Sequence, residues 1–214
     1  MTKEIIYIGD PMCSWCWGFA PVIEKMRAQF NDRAPLSIVA GGLHAYDDKP
    51  MSDQYKATIR HHWEDVNKAT GAIFDYRFFD REGFVLDTEP ACRAVVTLRT
   101  LRPDALFPFY ESISRSFYSE NKDTTDVETF RALAREADVD GDEFAELFSS
   151  QDMKDETRND FVFAKSLGVN GFPTVVVKEN DEYGLLTAGY RPFEALEPVL
   201  ENWLSGSRSG DGSY

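Results

Sequence analysis

The sequence predicts an α/β fold interrupted by an all-helical insertion, and three observations carry that prediction. Residues 1–40 alternate strand, helix and strand. A strand–strand–helix run closes the chain from Pro173 onward. The long stretch between them holds apolar residues at helical spacing almost throughout.

Lys3 to Gly9 is rich in β-branched and aromatic residues and stops at Gly9-Asp10-Pro11, the pattern of a short buried strand ending in a turn. From Ser14 to Phe30, the residues Trp17, Ala20, Val22, Ile23, Met26 and Phe30 recur at helical spacing. Pro21 interrupts that run, and a proline inside a helix removes a backbone donor and is expected to bend it. Leu36 to Ala40 reads as a second strand, closed by Gly41-Gly42. Helices are then expected over Ser52–Thr70, Glu89–Leu101, Asp104–Tyr118, Val127–Ala137 and Asp142–Phe148, with Asp104 and Asp126 placed as N-caps or first-turn acids. Phe74 to Val85, with Phe78, Phe79 and Phe84, fits no single period. Phe161 to Leu167 finishes a further helix at Gly168. Pro173–Val177 and Gly184–Tyr190 read as strands around the polar turn Glu179-Asn180-Asp181-Glu182, and Pro192–Leu204 is an amphipathic helix. The expected organisation is one discontinuous domain (residues 1–43 and 154–204), a helical insertion (44–153) and a disordered Gly/Ser-rich tail (205–214).

Composition narrows the function. A chain of 214 residues, 43% hydrophobic and 14% aromatic, can bury a core without covalent staples. With 37 acidic against 23 basic residues, net charge −14, nucleic acid and anionic membrane surfaces are poor partners. No window approaches the roughly 20 apolar residues of a membrane span. The first residues carry no secretory pattern, and a cytoplasmic location is expected. Three cysteines in a reducing compartment favour a catalytic or metal-binding pair over a structural disulfide framework.

That pair is Cys13 and Cys16, in Pro11-Met12-Cys13-Ser14-Trp15-Cys16-Trp17, where the first strand hands over to the first helix. Unpaired amides and the helix dipole stabilise a thiolate at such a junction, where cysteine pKa values fall to about 3.5–7.5 from about 8.5. Cys13 is then the attacking nucleophile. Cys16, one turn further in and more enclosed, resolves the mixed disulfide. A zinc site would need a second ligand pair, and only Cys92, His44, His61 and His62 are spare. His61 and His62 are adjacent, point different ways and read as a solvated helix face; His44 reads as a loop residue near the site. Cys92, in Glu89-Pro90-Ala91-Cys92-Arg93-Ala94-Val95, reads as a buried structural thiol. No metal is expected. Trp17 reads as core, and Trp15, beside Ser14, as a platform for substrate.

Val169-Asn170-Gly171-Phe172-Pro173-Thr174-Val175 sets a proline directly before an apolar strand. Together with the Cys13-Ser14-Trp15-Cys16 motif and the Glu89-Pro90-Ala91-Cys92 segment, this makes the chain resemble the DsbA family of thioredoxin-fold proteins, in the signal-less subgroup that includes FrnE-like members. The resemblance extends to about Leu204. It implies a thioredoxin-like fold with an inserted helical domain, Cys13 as nucleophile, Cys16 as resolving thiol and Pro173 as a cis-proline opposite them. Ser14, Trp15 and the Phe172 backbone would contact an extended substrate peptide. Two features depart from the family: Ser14-Trp15 lacks the histidine of strongly oxidising members, and no internal acid–base carboxylate is matched, Glu24 and Lys25 reading as solvated. The implied function is a cytoplasmic thiol–disulfide oxidoreductase, a reductase or isomerase of protein or small-thiol disulfides. It needs no cofactor beyond its own redox-active disulfide; glutathione, as co-substrate, or a thioredoxin-type reductant is the recycling partner. Two alternatives remain open. One is a glutathione-dependent transferase or isomerase of the kappa or hydroxychromene-carboxylate isomerase type, whose members carry serine in place of the dithiol. The other is a peptide-binding chaperone module gripping chains with Trp15, Phe19 and Phe172.

Overall fold

A computed structural model describes residues 2–206. The chain runs β1 (Lys3–Gly9), α1 (Ser14–Phe30), β2 (Leu36–Ala40), α2 (Asp53–Thr70), α3 (Glu89–Leu101), α4 (Leu106–Tyr118), α5 (Val127–Glu136), α6 (Gly141–Ser149), α7 (Gln151–Ser166), β3 (Thr174–Glu179), β4 (Glu182–Ala188) and α8 (Phe193–Leu204). From residue 207 the expected disordered tail lies outside the described residues. Among the described residues no helix is long and apolar enough to cross a membrane.

The strands form one sheet in the order β2-β1-β3-β4, with β1 parallel to β2 and antiparallel to β3, and β3 antiparallel to β4. β1 is paired along both edges and buried on both faces, and its alternation sorts its side chains between them. Ile5 and Tyr7 enter the main core with Phe19, Val22, Met26 and Leu200, whereas Ile6 and Ile8 meet Ala164 and Val176 on the other face, under α7. The expected α/β arrangement, with a helical stretch between β2 and β3, is present.

Several local expectations shift. Pro21 lies inside α1 without ending it. The helix expected from Asp104 starts at Leu106, because Pro103–Ala105 form a separate 3₁₀ turn and Asp104 pairs with Arg102 at 3.5 Å instead of capping α4. Asp126 does cap α5, accepting from the Glu128 amide at 3.0 Å. The strands around the turn sit one to two residues away from their expected limits, with Asn180 at φ 56° where the hairpin reverses. α7 begins at Gln151, capped by Ser150, and therefore runs through the expected domain boundary at residues 153 and 154.

Phe74 to Val85 had no readable period because its order is tertiary. Trp63 of α2, 1% exposed, is ringed by Phe74, Phe78, Phe79 and Tyr118, whose ring centroids lie 4.7–5.2 Å from its own, with Tyr76–Asp80 held in a 3₁₀ turn. The same buried cluster continues into the sheet-facing residues of α1 and β1. A second tie joins α3, α7 and β2: Arg99 donates twice to Asp160 at 2.9 Å and once to the Ile38 carbonyl at 3.0 Å, while Asp160 accepts from the Ala40 amide at 2.8 Å.

Candidate active site

The turn between β1 and α1 is built by Asp10. Its carboxylate accepts from the Met12 amide at 2.8 Å, and its carbonyl accepts from the Cys13 amide at 3.0 Å. Aspartate before proline favours such a turn, since its side chain hydrogen-bonds the backbone two residues on. Ser114 of α4 donates to the Pro11 carbonyl at 2.8 Å, clamping the turn from the insertion side. The loop delivers Cys13 to the N-cap of α1, with Ser14 as the first helical residue.

Cys13 retains 4% exposure and Cys16 none, so of the two sulfurs Cys13 is the one that meets the surface. The Cys13 thiol donates to the Phe172 carbonyl at 3.6 Å, and the Phe172–Pro173 peptide bond is cis. The Phe172 ring lies directly on the backbone at Gly41, where any Cβ would collide with it. Pro173 is buried at the entry to β3, and its carbonyl accepts from the Gly189 amide at 2.7 Å.

The expected lowering of the Cys13 pKa is not what this geometry produces. In the reduced pair Cys13 is pushed well above the ordinary thiol value, first by the hydrogen bond it shares with the Cys16 thiol and then by burial; the Cys16 amide acts in the opposite direction.

A cleft of about 300 Å³ opens above Cys13. Ser14, Trp15 and Phe172 line it together with Tyr55, Trp63 and Leu86 from the helical stretch. Trp15 is half-buried, its ring 6.1 Å from Tyr190. His44 and His62 also line the cleft, so His62 faces the site and only its neighbour His61 sits wholly with surface carboxylates, Glu64 and Asp65. His44 shares a 2.8 Å hydrogen bond with the Tyr55 hydroxyl and sets its other nitrogen 3.2 Å from Asp47. Burial, and then the Asp47 charge, raise the Tyr55 pKa. Two expectations fail. Trp17 is half-buried rather than core, stacked on Tyr118 and donating to the Ile73 carbonyl at 3.1 Å. Phe19 is fully buried and cannot grip a substrate.

Sequence reasoning missed Asp10. It is completely buried, accepts from the Leu43 amide at 2.7 Å and from the Cys92 thiol at 3.5 Å, and lies close enough to Cys13 to act on its charge. Burial raises its pKa, against the pull of Thr88 and of the Leu43 and Met12 amides. The Asp10-Pro11 turn was visible; that the insertion would cover it was not. Cys92 is buried as the partner of this carboxyl.

The fold recurs in known proteins. The crystal structure of a candidate protein disulfide isomerase from Nitrosomonas europaea superposes with a TM-score of 0.92 at 38% identity, covering 97% of this chain and 100% of that one. The cytosolic disulfide reductase DsbM from Pseudomonas aeruginosa has the same fold, with a TM-score of 0.79 at 22% identity over 95% of this chain and 100% of that one. The ClpXP adapter protein SpxH of Halalkalibacterium halodurans is 24% identical over 207 residues, 94% of this chain and 67% of that protein. For SpxH of Bacillus cereus strain ZK the share is 65%, so the chain spans about two thirds of the length of these curated relatives. The profile of the DSBA-like thioredoxin domain matches residues 5–201, and the chain belongs to that family.

Proposed function

We propose that the protein exchanges thiols and disulfides through Cys13 and Cys16, as a reductase or isomerase of protein or small-thiol disulfides. The observation that carries this reading is the position of the Cys13 sulfur. It sits at the N-cap of α1 on the floor of a largely apolar cleft, with Cys16 enclosed one turn behind. The Cys13 thiolate attacks a substrate disulfide; a Cys13–substrate S–S bond forms and the other substrate sulfur leaves as thiolate. Cys16 then attacks Cys13 Sγ, the intramolecular disulfide forms, and the second substrate sulfur leaves. Net reduction returns two electrons from a cellular dithiol of the thioredoxin type or from two glutathione molecules. Glutathione is supported as the small thiol by the structure of DsbM with GSH, and the cytoplasm as the compartment by the description of DsbM as cytosolic. Ser14, Trp15, the Phe172 backbone and Pro173 would hold the substrate chain against Cys13.

Insulin reduction tests the reading. Cys13→Ser is expected to abolish turnover and Cys16→Ser to accumulate a mixed disulfide; Cys13→Ser as active as the parent would overturn it. Equilibration with glutathione gives the direction, a potential near about −270 mV marking a reductant and one near about −120 mV an oxidant. A second reading, protein adapter, is favoured by the SpxH relatives, which align with 94% of this chain. It predicts partner binding that survives replacement of both cysteines.

A further inference from the structure

We propose that Tyr55, oriented by His44 and Asp47, presents a fixed hydrogen-bond acceptor in the cleft above Cys13 and so selects disulfides flanked by N–H donors over those flanked by carboxylates. The inference rests on the dithiol reaction proposed above and names the substrate chemistry that the same site prefers.

The three residues form a chain. His44 stands on the loop after β2 and Tyr55 on the first turn of α2. His44 Nε2 lies 2.8 Å from the Tyr55 hydroxyl, the two rings meet edge to face at 5.9 Å, and Asp47 Oδ2 stands 3.2 Å from His44 Nδ1. The backbone that carries them is held in place. The His44 amide donates to Thr88 Oγ1 at 3.1 Å, and its carbonyl accepts from the Thr88 amide at 3.3 Å and the Asp47 amide at 3.2 Å. The Tyr55 amide donates to Ser52 Oγ at 3.2 Å. Side chains supported in this way keep their geometry when a substrate arrives.

The chain sets the direction of each proton. A carboxylate only accepts, so the nitrogen facing Asp47 carries the ring proton; a bare Nδ1 there would set two lone pairs against each other. In the neutral imidazole the other nitrogen is then an acceptor. Nε2 therefore takes the Tyr55 O–H, and the one proton of the phenol is committed to His44. Burial, and then the Asp47 charge, make that proton harder to lose. Among the described residues no other group bonds the Tyr55 hydroxyl, so its oxygen keeps unfilled acceptor capacity.

Tyr55, His44 and Cys13 line the same cleft of about 300 Å³, whose walls are mostly apolar, Trp63, Leu86 and Phe172 among them. That volume is at the lower end for ligand sites, and in such pockets a few placed polar groups set orientation and specificity. A group bonded to Cys13 Sγ therefore meets this wall. His62 lines the cleft too, but among the described residues its side chain makes no hydrogen bond or ion pair, so nothing fixes the face it presents. An ammonium or amide N–H beside the substrate sulfur satisfies the Tyr55 oxygen. A carboxylate sets a second acceptor against it and leaves both unsatisfied.

Capture by Cys13 is measured in a Cys16→Ser protein, where the adduct persists, by mass spectrometry at about pH 8, the upper end of the range over which histidine changes charge. The reagents are cystamine, which carries ammonium groups, dithiodipropionate, which carries carboxylates, and the uncharged bis(hydroxyethyl) disulfide. Each rate is divided by that of a free small thiol, which removes the reagent's own reactivity, and a Cys13→Ser/Cys16→Ser protein supplies the Cys92 background. Cystamine is expected to be preferred to dithiodipropionate. Tyr55→Phe is expected to cut that preference by about tenfold while changing the hydroxyethyl rate by less than about threefold. The substitution removes no charge, so the general attraction of an acidic chain for cations is retained and the change reads the hydroxyl alone. A preference within about twofold of the parent's, or all three reagents slowed alike as a structural role would have it, overturns the proposal. Nitrogen-15 NMR of His44 in the parent reads the positioning arm: the proton is expected on Nδ1 with Nε2 bare, and the opposite tautomer overturns the proposal even if Tyr55→Phe fails to fold. A parent that captures none of the reagents instead refutes the dithiol reading, and this inference with it.

Discussion

Replacing Asp160 by alanine is expected to destabilise the protein by about 3 kcal/mol. Asp160 takes two hydrogen bonds from Arg99 and one from the Ala40 amide, and its side chain is 12% exposed against 30% for Arg99. Breaking a fully buried pair costs about 3–5 kcal/mol. Water reaches the guanidinium here, which reduces the pair loss to about 1–2 kcal/mol, while the Ala40 amide left without an acceptor adds about 1–2 kcal/mol. For a chain of this size the total lowers Tm by about 6–12 °C. Ala40 leads into Gly41, on which the Phe172 ring lies, so the loosened end of β2 is also expected to slow capture by Cys13. Urea unfolding followed by circular dichroism measures the stability, and a cycle with Arg99→Ala isolates the pair, with an expected coupling of about 1–2 kcal/mol. A loss below about 1 kcal/mol, or a coupling near zero, would refute the reasoning.

Three further outcomes follow from the site. Cys16→Ala removes the leading cause of the raised Cys13 pKa, so Cys13 should become more acidic; thiolate ultraviolet absorbance against pH reads this, and an unchanged or higher value contradicts it. Asp10 has its folded pKa raised above the unfolded 3.8. The folded state therefore binds the extra proton, and the Asp10 contribution to stability, fully present below the unfolded value, is lost as pH rises through the folded one. Stability of Asp10→Asn measured relative to the parent should accordingly rise across that window, and a difference independent of pH would refute the assignment. Gly41→Val drives a side chain into the Phe172 ring and should displace the loop that accepts from Cys13, with dithiobis-nitrobenzoate capture by Cys13 altered; capture and Tm equal to the parent's would show that the ring contact carries no weight.

Most of the fold was legible because its signals are local. β1, α1 and β2 begin and end where hydrophobic period and glycine punctuation place them, and Asp126 caps α5 as an aspartate before a helical run should. The start of α4 was misjudged because Pro103 completes a turn of its own, and the start of α7 was not placed because its first half carries few apolar residues. At the site, the strand-to-helix position of the two cysteines was legible, as was the approach of the Phe172-Pro173 loop through the family resemblance. Asp10 was not, because a polar group in sequence does not announce which distant helix will cover it.

By itself the sequence determined the alternation of strands and helices and the dithiol at the head of α1, since each rests on the order of neighbouring residues. Only the tertiary structure decided which groups surround the sulfurs. The insertion brings Cys92 and Ser114 onto the β1–α1 turn from positions 82 and 103 residues away in sequence from their partners. Burial there changes the acidity of Cys13 and Asp10, because desolvation is a property of the packed environment and not of the residue type.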